Sequence, residues 1–323
     1  MSGGGESHWL LTGGVGFIGY HVAEALLERG DRVTILDDFS ESPYPTRYKR
    51  RNASHLYEVF PKVSVIEGSV TDAPHLRSLV AGKTGVIHLA GLAGVRPSFA
   101  APARYAEVNV QGTANIFEAA MGAGIRNFVF ASSSSVYGNS TPLPAREDAP
   151  CTEPESPYAA TKRAAELLTK PLCALRPDAR CIPLRFFTVY GPRQRPEMAI
   201  TLFMRAVLGG EPVTLFGDGT MRRDFTHVTD ITRGILAAAD SPKLGWTPYN
   251  LGSGAPGTLE ELVAGIEAVT GKKAVISRAG KPPGDVDATY ACIEKARQDL
   301  AWQPRVKLVE GLATVRDWVL KYD

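Results

Sequence analysis

Thr12-Gly-Gly-Val-Gly-Phe-Ile-Gly19 stands between an apolar run, Trp9-Leu10-Leu11, and an amphipathic stretch from Tyr20 to Arg29. A strand, a tight glycine loop and a helix in that order set up a nucleotide-binding βαβ unit. The spacing of Gly13, Gly16 and Gly19 lets the backbone turn, approach a pyrophosphate and pack helix on strand. The helix N-terminus then offers free N–H groups to the anion. Arg32-Val-Thr-Ile-Leu-Asp37 follows as a second strand ending in an acid. Asp37 falls about 20 residues beyond the loop, where a carboxylate meets adenosine ribose hydroxyls. The same carboxylate repels a 2′-phosphate, so the chain is expected to hold NAD in preference to NADP.

Strand-like and helical patterns alternate as far as about residue 190. Val63–Ile66, Gly85–Ala90, Asn127–Ala131 and Ala179–Phe187 read as strands; Pro74–Ala81, Ala103–Met121 and Pro157–Leu175 read as helices. Such alternation predicts an α/β fold, a doubly wound parallel sheet covered on both faces, with ligands beyond the carboxyl ends of the strands. After residue 190 the texture breaks up at Gly191-Pro192, Gly209-Gly210, Gly217-Asp-Gly219 and Pro282-Pro-Gly284. We therefore expect a nucleotide-binding domain over 1–188, with 225–252 returning to it. Residues 189–224 and 253–323 would form a smaller lobe over the ligand edge.

A net charge of +2, with 22% charged and 44% hydrophobic residues, gives no reason to invoke nucleic acid or a membrane. Arg47-Tyr-Lys-Arg-Arg51 reads as a solvated face. The four cysteines and six histidines show no metal-ligand spacing, so no metal is expected. His88 reads as a satisfied, partly buried histidine. The opening, Met1 to Glu6, has no charged leader with an apolar stretch, and a cytoplasmic location is expected.

Ser156-Pro-Tyr-Ala-Ala-Thr-Lys162 begins a helix that places Tyr158 and Lys162 on one face. An ammonium beside a phenol favours the phenolate, giving a base near neutrality. Upstream, Ser132 to Ser135 leave a strand at the ligand edge, where a hydroxyl can bond a substrate oxygen.

Thr12–Gly19, the Ser132–Gly138 run, Tyr158-x-x-x-Lys162, Arg185–Pro192 and Arg223-Asp-Phe-Thr-His227 together resemble the extended short-chain dehydrogenase/reductase superfamily. Within it the chain is most similar to NAD-dependent nucleotide-sugar 4-epimerases, especially the UDP-glucuronate branch. The resemblance implies a Rossmann-type sheet with a smaller C-terminal substrate lobe, a UDP-sugar substrate and a homodimer. It implies that Tyr158 takes the C4 hydroxyl proton, Lys162 bonds the nicotinamide ribose and Ser133 shares a hydrogen bond with the sugar O4. Around the cofactor it implies Gly13, Gly16, Phe17, Ile18, Gly19, Asp37, Asp38, Ser69, Val70, Leu89, Ala90, Gly91, Asn109, Ser132 and Phe186. Around the substrate it implies Ser133, Ser134, Ser135, Thr188, Arg195, Thr214, Phe216, Arg223 and Asp285.

The implied reaction oxidises C4, lets the 4-keto sugar turn, and returns the hydride to the other face. With glucuronate that intermediate is a β-keto acid, prone to lose CO₂ when its carboxylate stands perpendicular to the ketone. Ser134, Ser135, Thr188 and Arg195 are expected to hold the carboxylate out of that geometry. Relatives that dehydrate or decarboxylate place an acid where this chain has Ser134 and Ser135. UDP-glucose/UDP-galactose epimerisation and UDP-glucuronate decarboxylation stand as the alternatives.

Overall fold

The computed structural model describes residues 7–41, 43–217, 221–280 and 286–322. Its main sheet is built from β1 (His8–Thr12), β2 (Arg32–Asp37), β3 (Ser64–Glu67), β4 (Gly85–His88), β5 (Asn127–Ser133) and β6 (Arg180–Phe186). They lie in the order β6-β5-β4-β1-β2-β3, all parallel, and two short strands, Gly245–Trp246 and Tyr249–Leu251, pair with β6. The chain order reverses between β1 and β4, which is where a doubly wound sheet opens a crevice for ligands.

Alternation along the strands divides the core. Leu11, Ile35, Ile87, Val129 and Ile182 face one side, with Val22, Leu26, Ile231 and Ile235 from α1 (Phe17–Glu28) and the later helix Val228–Asp240. Leu10, Leu36, Val86, Phe128 and Phe130 face the other, with Ile116 and Phe117. Both faces are dry, as continuous apolar strands require. A third cluster, including Met204, Leu215, Leu262 and Leu312, packs in the C-terminal part of the chain.

The next helices are α2 (Arg47–Val59), α3 (Ala73–Leu79), α4 (Val95–Ala100), α5 (Pro102–Ala106), α6 (Gly112–Gly122) and α7 (Pro157–Ala174). The stretch expected as one helix over Ala103–Met121 is interrupted by a wider π-turn, Glu107–Gln111. That turn carries Asn109, whose carboxamide bonds the backbone of Leu92, so the irregularity coincides with a long-range tie. α1 begins three residues earlier than the amphipathic pattern alone indicated, because the glycine loop runs straight into the helix from Gly16. α7 starts where its signals place it: Ser156 accepts the Ala159 N–H at 3.2 Å and Pro157 occupies the first turn.

Beyond β6 come Thr188–Tyr190, α8 (Ala199–Gly209), the pair Pro212–Phe216 and Val275–Ala279, α9 (Val228–Asp240), α10 (Leu259–Thr270), α11 (Glu294–Leu300) and α12 (Leu308–Tyr322). No described helix is long and apolar enough to cross a membrane.

Candidate active site

A cavity of about 1090 Å³ runs along the carboxyl edge of the sheet, from the glycine loop to Pro212–Phe216. Gly13, Gly16, Phe17, Ile18 and Gly19 line one end, with Asp37, Asp38 and Val70 beside them. Leu89, Ala90 and Gly91 line its middle with Ser132, Tyr158, Lys162 and Phe186, and Ser133, Ser134 and Ser135 follow. Thr188, Arg195, Thr214, Phe216 and Arg223 line the far end. Two predicted residues stand off this wall. The Ser69 hydroxyl bonds Thr71 at 2.8 Å, and Asn109 is buried behind the wall, holding Leu92 and Thr161. Asp285 lies outside the described residues.

The glycine loop fits a pyrophosphate cradle by exclusion. Gly13 sits at φ +69°, and a Cβ there would lie 2.6 Å from the Ala90 nitrogen. A Cβ on Gly19 would lie 2.0 Å from the Gly13 carbonyl oxygen. Asp37, at the end of β2, is 5% exposed and accepts the Phe39 N–H at 3.0 Å. Glycine loop, helix N-terminus and buried acid together are the donor and acceptor set that an adenine dinucleotide needs.

The middle of the cavity holds the titratable groups. The Lys162 ammonium donates to the Ala131 carbonyl at 2.9 Å, and burial brings its pKa down to about 8. Burial pushes the Tyr158 phenol up; a hydrogen bond from Ser133 and the charge of Arg195 pull it back. The sequence pointed to Lys162 as the tuning cation. In the fold Lys162 donates to a backbone carbonyl, and the charge of Arg195 also bears on the phenol. Tyr105 packs edge-on against Tyr158, ring centroids 6.3 Å apart. Arg195 itself is paired with Glu197 at 3.1 Å.

At the far end the Arg96 guanidinium lies over the Phe216 ring at 4.6 Å, and the Thr214 and Ser277 hydroxyls are 3.0 Å apart. Arg223 donates to the carbonyls of Arg222 and Asp287. Arg96, Lys49, Tyr44 and Glu197 are wall residues that the sequence reading passed over. For Lys49 a signal existed. It falls in register with Asn52, Ala53 and Leu56, the buried stripe of α2, and is itself 7% exposed and not solvated.

The switch-point crevice, the glycine cradle and the Tyr158–Lys162 helix define an enzyme of the dinucleotide-binding α/β class. The chain belongs to the NAD dependent epimerase/dehydratase family, whose pattern matches residues 9–252. It is 37% identical over 315 residues to the UDP-glucuronate 4-epimerase of Thermodesulfobacterium geofontis, covering 96% of this chain and 95% of that one. It is 38% identical over 332 residues to UDP-glucuronate 4-epimerase 3 of Arabidopsis thaliana, covering 97% of this chain and 76% of that protein. Among solved structures, the UDP-glucuronic acid 4-epimerase of Bacillus cereus in complex with UDP-glucuronic acid and NAD is 33% identical. It superposes with a TM-score of 0.89 over 97% of this chain and 99% of that one.

Proposed function

We propose that the chain interconverts UDP-glucuronate and UDP-galacturonate by NAD-dependent epimerisation at C4. The observation that carries this is the placement of Tyr158, Ser133 and Arg195 together on the wall of one cavity, where Ser133 and the Arg195 charge both lower the phenol's pKa. NAD, when bound, supplies a hydride acceptor and donor at the sugar carbon. The glycine loop, Asp37 and the wall at Leu89–Gly91 hold it, and Lys162 meets its ribose. Tyr158 takes the O4 proton and later returns it, while Ser133 keeps O4 in line. Thr214, Phe216 and Arg223 anchor the nucleotide end, leaving the sugar free to turn.

Arg195, with Ser134, Ser135 and Thr188, gives the sugar carboxylate a cationic and hydroxylic seat and keeps it from standing perpendicular to the ketone, the geometry that loses CO₂. Glu197 competes for that cation at 3.1 Å, and this pairing favours the second reading, a neutral UDP-glucose/UDP-galactose substrate. The two are separated by an NMR time course on UDP-glucuronate and UDP-glucose in separate tubes. UDP-galacturonate alone supports the acid sugar, UDP-galactose alone supports the neutral one, and a pentose product overturns the assignment to Ser134 and Ser135.

In the same reading, residues 1–188 and 225–252 hold the dinucleotide, and 189–224 and 253–323 hold the sugar nucleotide. Leu167 and Leu172 on α7, with Leu175 at its C-cap, are exposed apolar side chains, which supports a homodimer through α6 and α7. The four cysteines are free thiols, in keeping with a reducing cytoplasm.

A further inference from the structure

The basic residues of α2 separate in the fold. Arg50 pairs with Glu67 at 2.9 Å on the surface, and Arg51 lies over the rings of Trp318 and Tyr322. Lys49 turns the other way, into the cavity wall. Its Nζ is 3.5 Å from Asp37 Oδ1, 3.4 Å from Asp38 Oδ1 and 3.0 Å from Ser40 Oγ, with the side chain only 9% exposed. Two carboxylates and one ammonium therefore share the end of β2, beside the first glycine loop.

We propose that Lys49 decides, jointly with Asp37, which dinucleotide the chain accepts: it is the counter-charge that keeps Asp37 ionised out of water, and the cation a 2′-phosphate would meet were Asp37 absent. The proposal rests on NAD being the cofactor and Asp37 its ribose acid. A buried carboxylate beside a second one is costly unless a cation stands between them. Lys49 supplies that cation, and the trio still carries one net negative charge, which repels a phosphate dianion. Removing the Asp37 charge brings the balance to neutral and leaves an ammonium already desolvated and aimed at the site. An ammonium so placed forms a strong charge-assisted bond with phosphate. Removing Lys49 instead takes away the cation that offsets the desolvation of Asp37, which favours its protonated form, and a protonated Asp37 accepts fewer ribose hydroxyls.

The test is equilibrium titration of cofactor-stripped protein with NAD and with NADP, followed by calorimetry, so that no turnover is needed. Wild type should bind NAD and take NADP at least about 100-fold more weakly, as expected for a dianion facing a negative site. Asp37→Ser should gain about tenfold for NADP, Asp37→Ser/Lys49→Met should lose that gain, and Lys49→Met alone should weaken NAD by about tenfold. Equal NADP affinity in Asp37→Ser and the double variant overturns the role of Lys49. Wild type that binds neither dinucleotide overturns the cofactor reading and the proposal with it. Melting curves check each fold, and Asp37→Asn, which keeps the side-chain shape, takes the place of a serine variant that does not fold.

Discussion

Arg185 donates to both carboxylate oxygens of Glu166, at 2.9 and 2.8 Å, and neither side chain reaches water. Ser132 adds a third hydrogen bond to Glu166 at 2.6 Å. The same guanidinium donates to the Tyr137 hydroxyl at 3.0 Å, which in turn donates to Asn250 at 2.6 Å. The pair thus holds both ends of the serine segment that presents Ser133 to Tyr158. Removing one partner leaves an uncompensated buried charge, so Glu166→Ala should lose about 3–5 kcal/mol in denaturant unfolding. Burial alone would raise the Glu166 pKa, but the Arg185 hydrogen bonds and charge outweigh it and hold the carboxyl below its usual value. A depressed folded value means the stabilisation is complete above the unfolded pKa, about 4.3, and is lost as pH falls through the folded one. Wild-type unfolding curves should therefore show this loss only below about pH 4.3, and the Glu166→Gln variant should lack it.

In the proposed mechanism the Tyr158 phenol must be ionised to accept the O4 proton, and burial raises its pKa. kcat/KM should accordingly climb with pH along an acid limb. Ser133 and Arg195 are the two influences that lower the phenol's pKa, so Ser133→Ala and Arg195→Ala should each move the limb upward. The expected displacement is about half to one pH unit, the size of one hydrogen bond or one screened charge. Tyr158→Phe should cost at least about 10²-fold in kcat while binding NAD normally. An acid limb that stays fixed in both of the first two variants would assign it to another group, with Lys162 at about 8 the first to examine.

What the sequence made legible is what local pattern encodes. The parallel sheet was legible because each strand is a short apolar run bounded by breakers, and the glycine loop because its residues are contiguous. Tyr158 and Lys162 were legible because helical spacing alone puts them on one face. Partners distant in the chain were not. Arg185 and Glu166 meet only when β6 packs beneath α7, and Arg96 reaches Phe216 only across the cavity mouth. The tie made by Asn109 was not legible either: the wider turn at Glu107–Gln111 takes its carboxamide to Leu92, and single-sequence periodicity carries no mark of such a turn. Lys49 was hidden by its neighbours: four of five residues in Arg47–Arg51 are cationic, and composition spoke louder than register.

Gly19 packs against the Gly13 carbonyl so closely that a Cβ would lie 2.0 Å from its oxygen and 2.7 Å from the Gly14 Cα. Both neighbours are backbone and cannot swing aside. Gly19→Ala should therefore open the loop and weaken NAD binding by at least about tenfold, or ~1.4 kcal/mol. Gly122→Ala makes a fair control: a Cβ there meets nothing within 4 Å, and the residue sits in the last turn of α6. That change should leave NAD affinity alone and stabilise the fold by up to about 1 kcal/mol. Titration of cofactor-free protein checks the first, and urea unfolding the second. Equal NAD affinity in the Gly19 variant would show that the loop rearranges at no cost.

His88, at the end of β4, lies between the hydroxyls of Thr12 at 2.6 Å and Thr113 at 3.1 Å, fully enclosed rather than partly buried. Burial, with the Lys162 charge behind it, takes its pKa down to about 3. Burial likewise brings His227 down to about 4 and lowers His21. All three fold as neutral imidazoles, whereas the unfolded chain protonates them near pH 6.5. Below that pH the unfolded state binds more protons, so stability must fall as the solution is acidified. The loss runs from about 6.5 down to the folded values, each histidine adding a slope of about 1.4 kcal/mol per pH unit. This window opens about two pH units above the one set by Glu166 and overlaps it only below about 4.3, so the two can be told apart above that value. His88→Gln keeps a hydrogen-bonding side chain but removes one titrating group. Its unfolding free energy between pH 6 and 4.5 should decline less steeply than wild type by about 1.4 kcal/mol per unit. An unchanged slope would mean that His88 takes up its proton without unfolding, and the enclosed Thr12–His88–Thr113 arrangement would have to open to water.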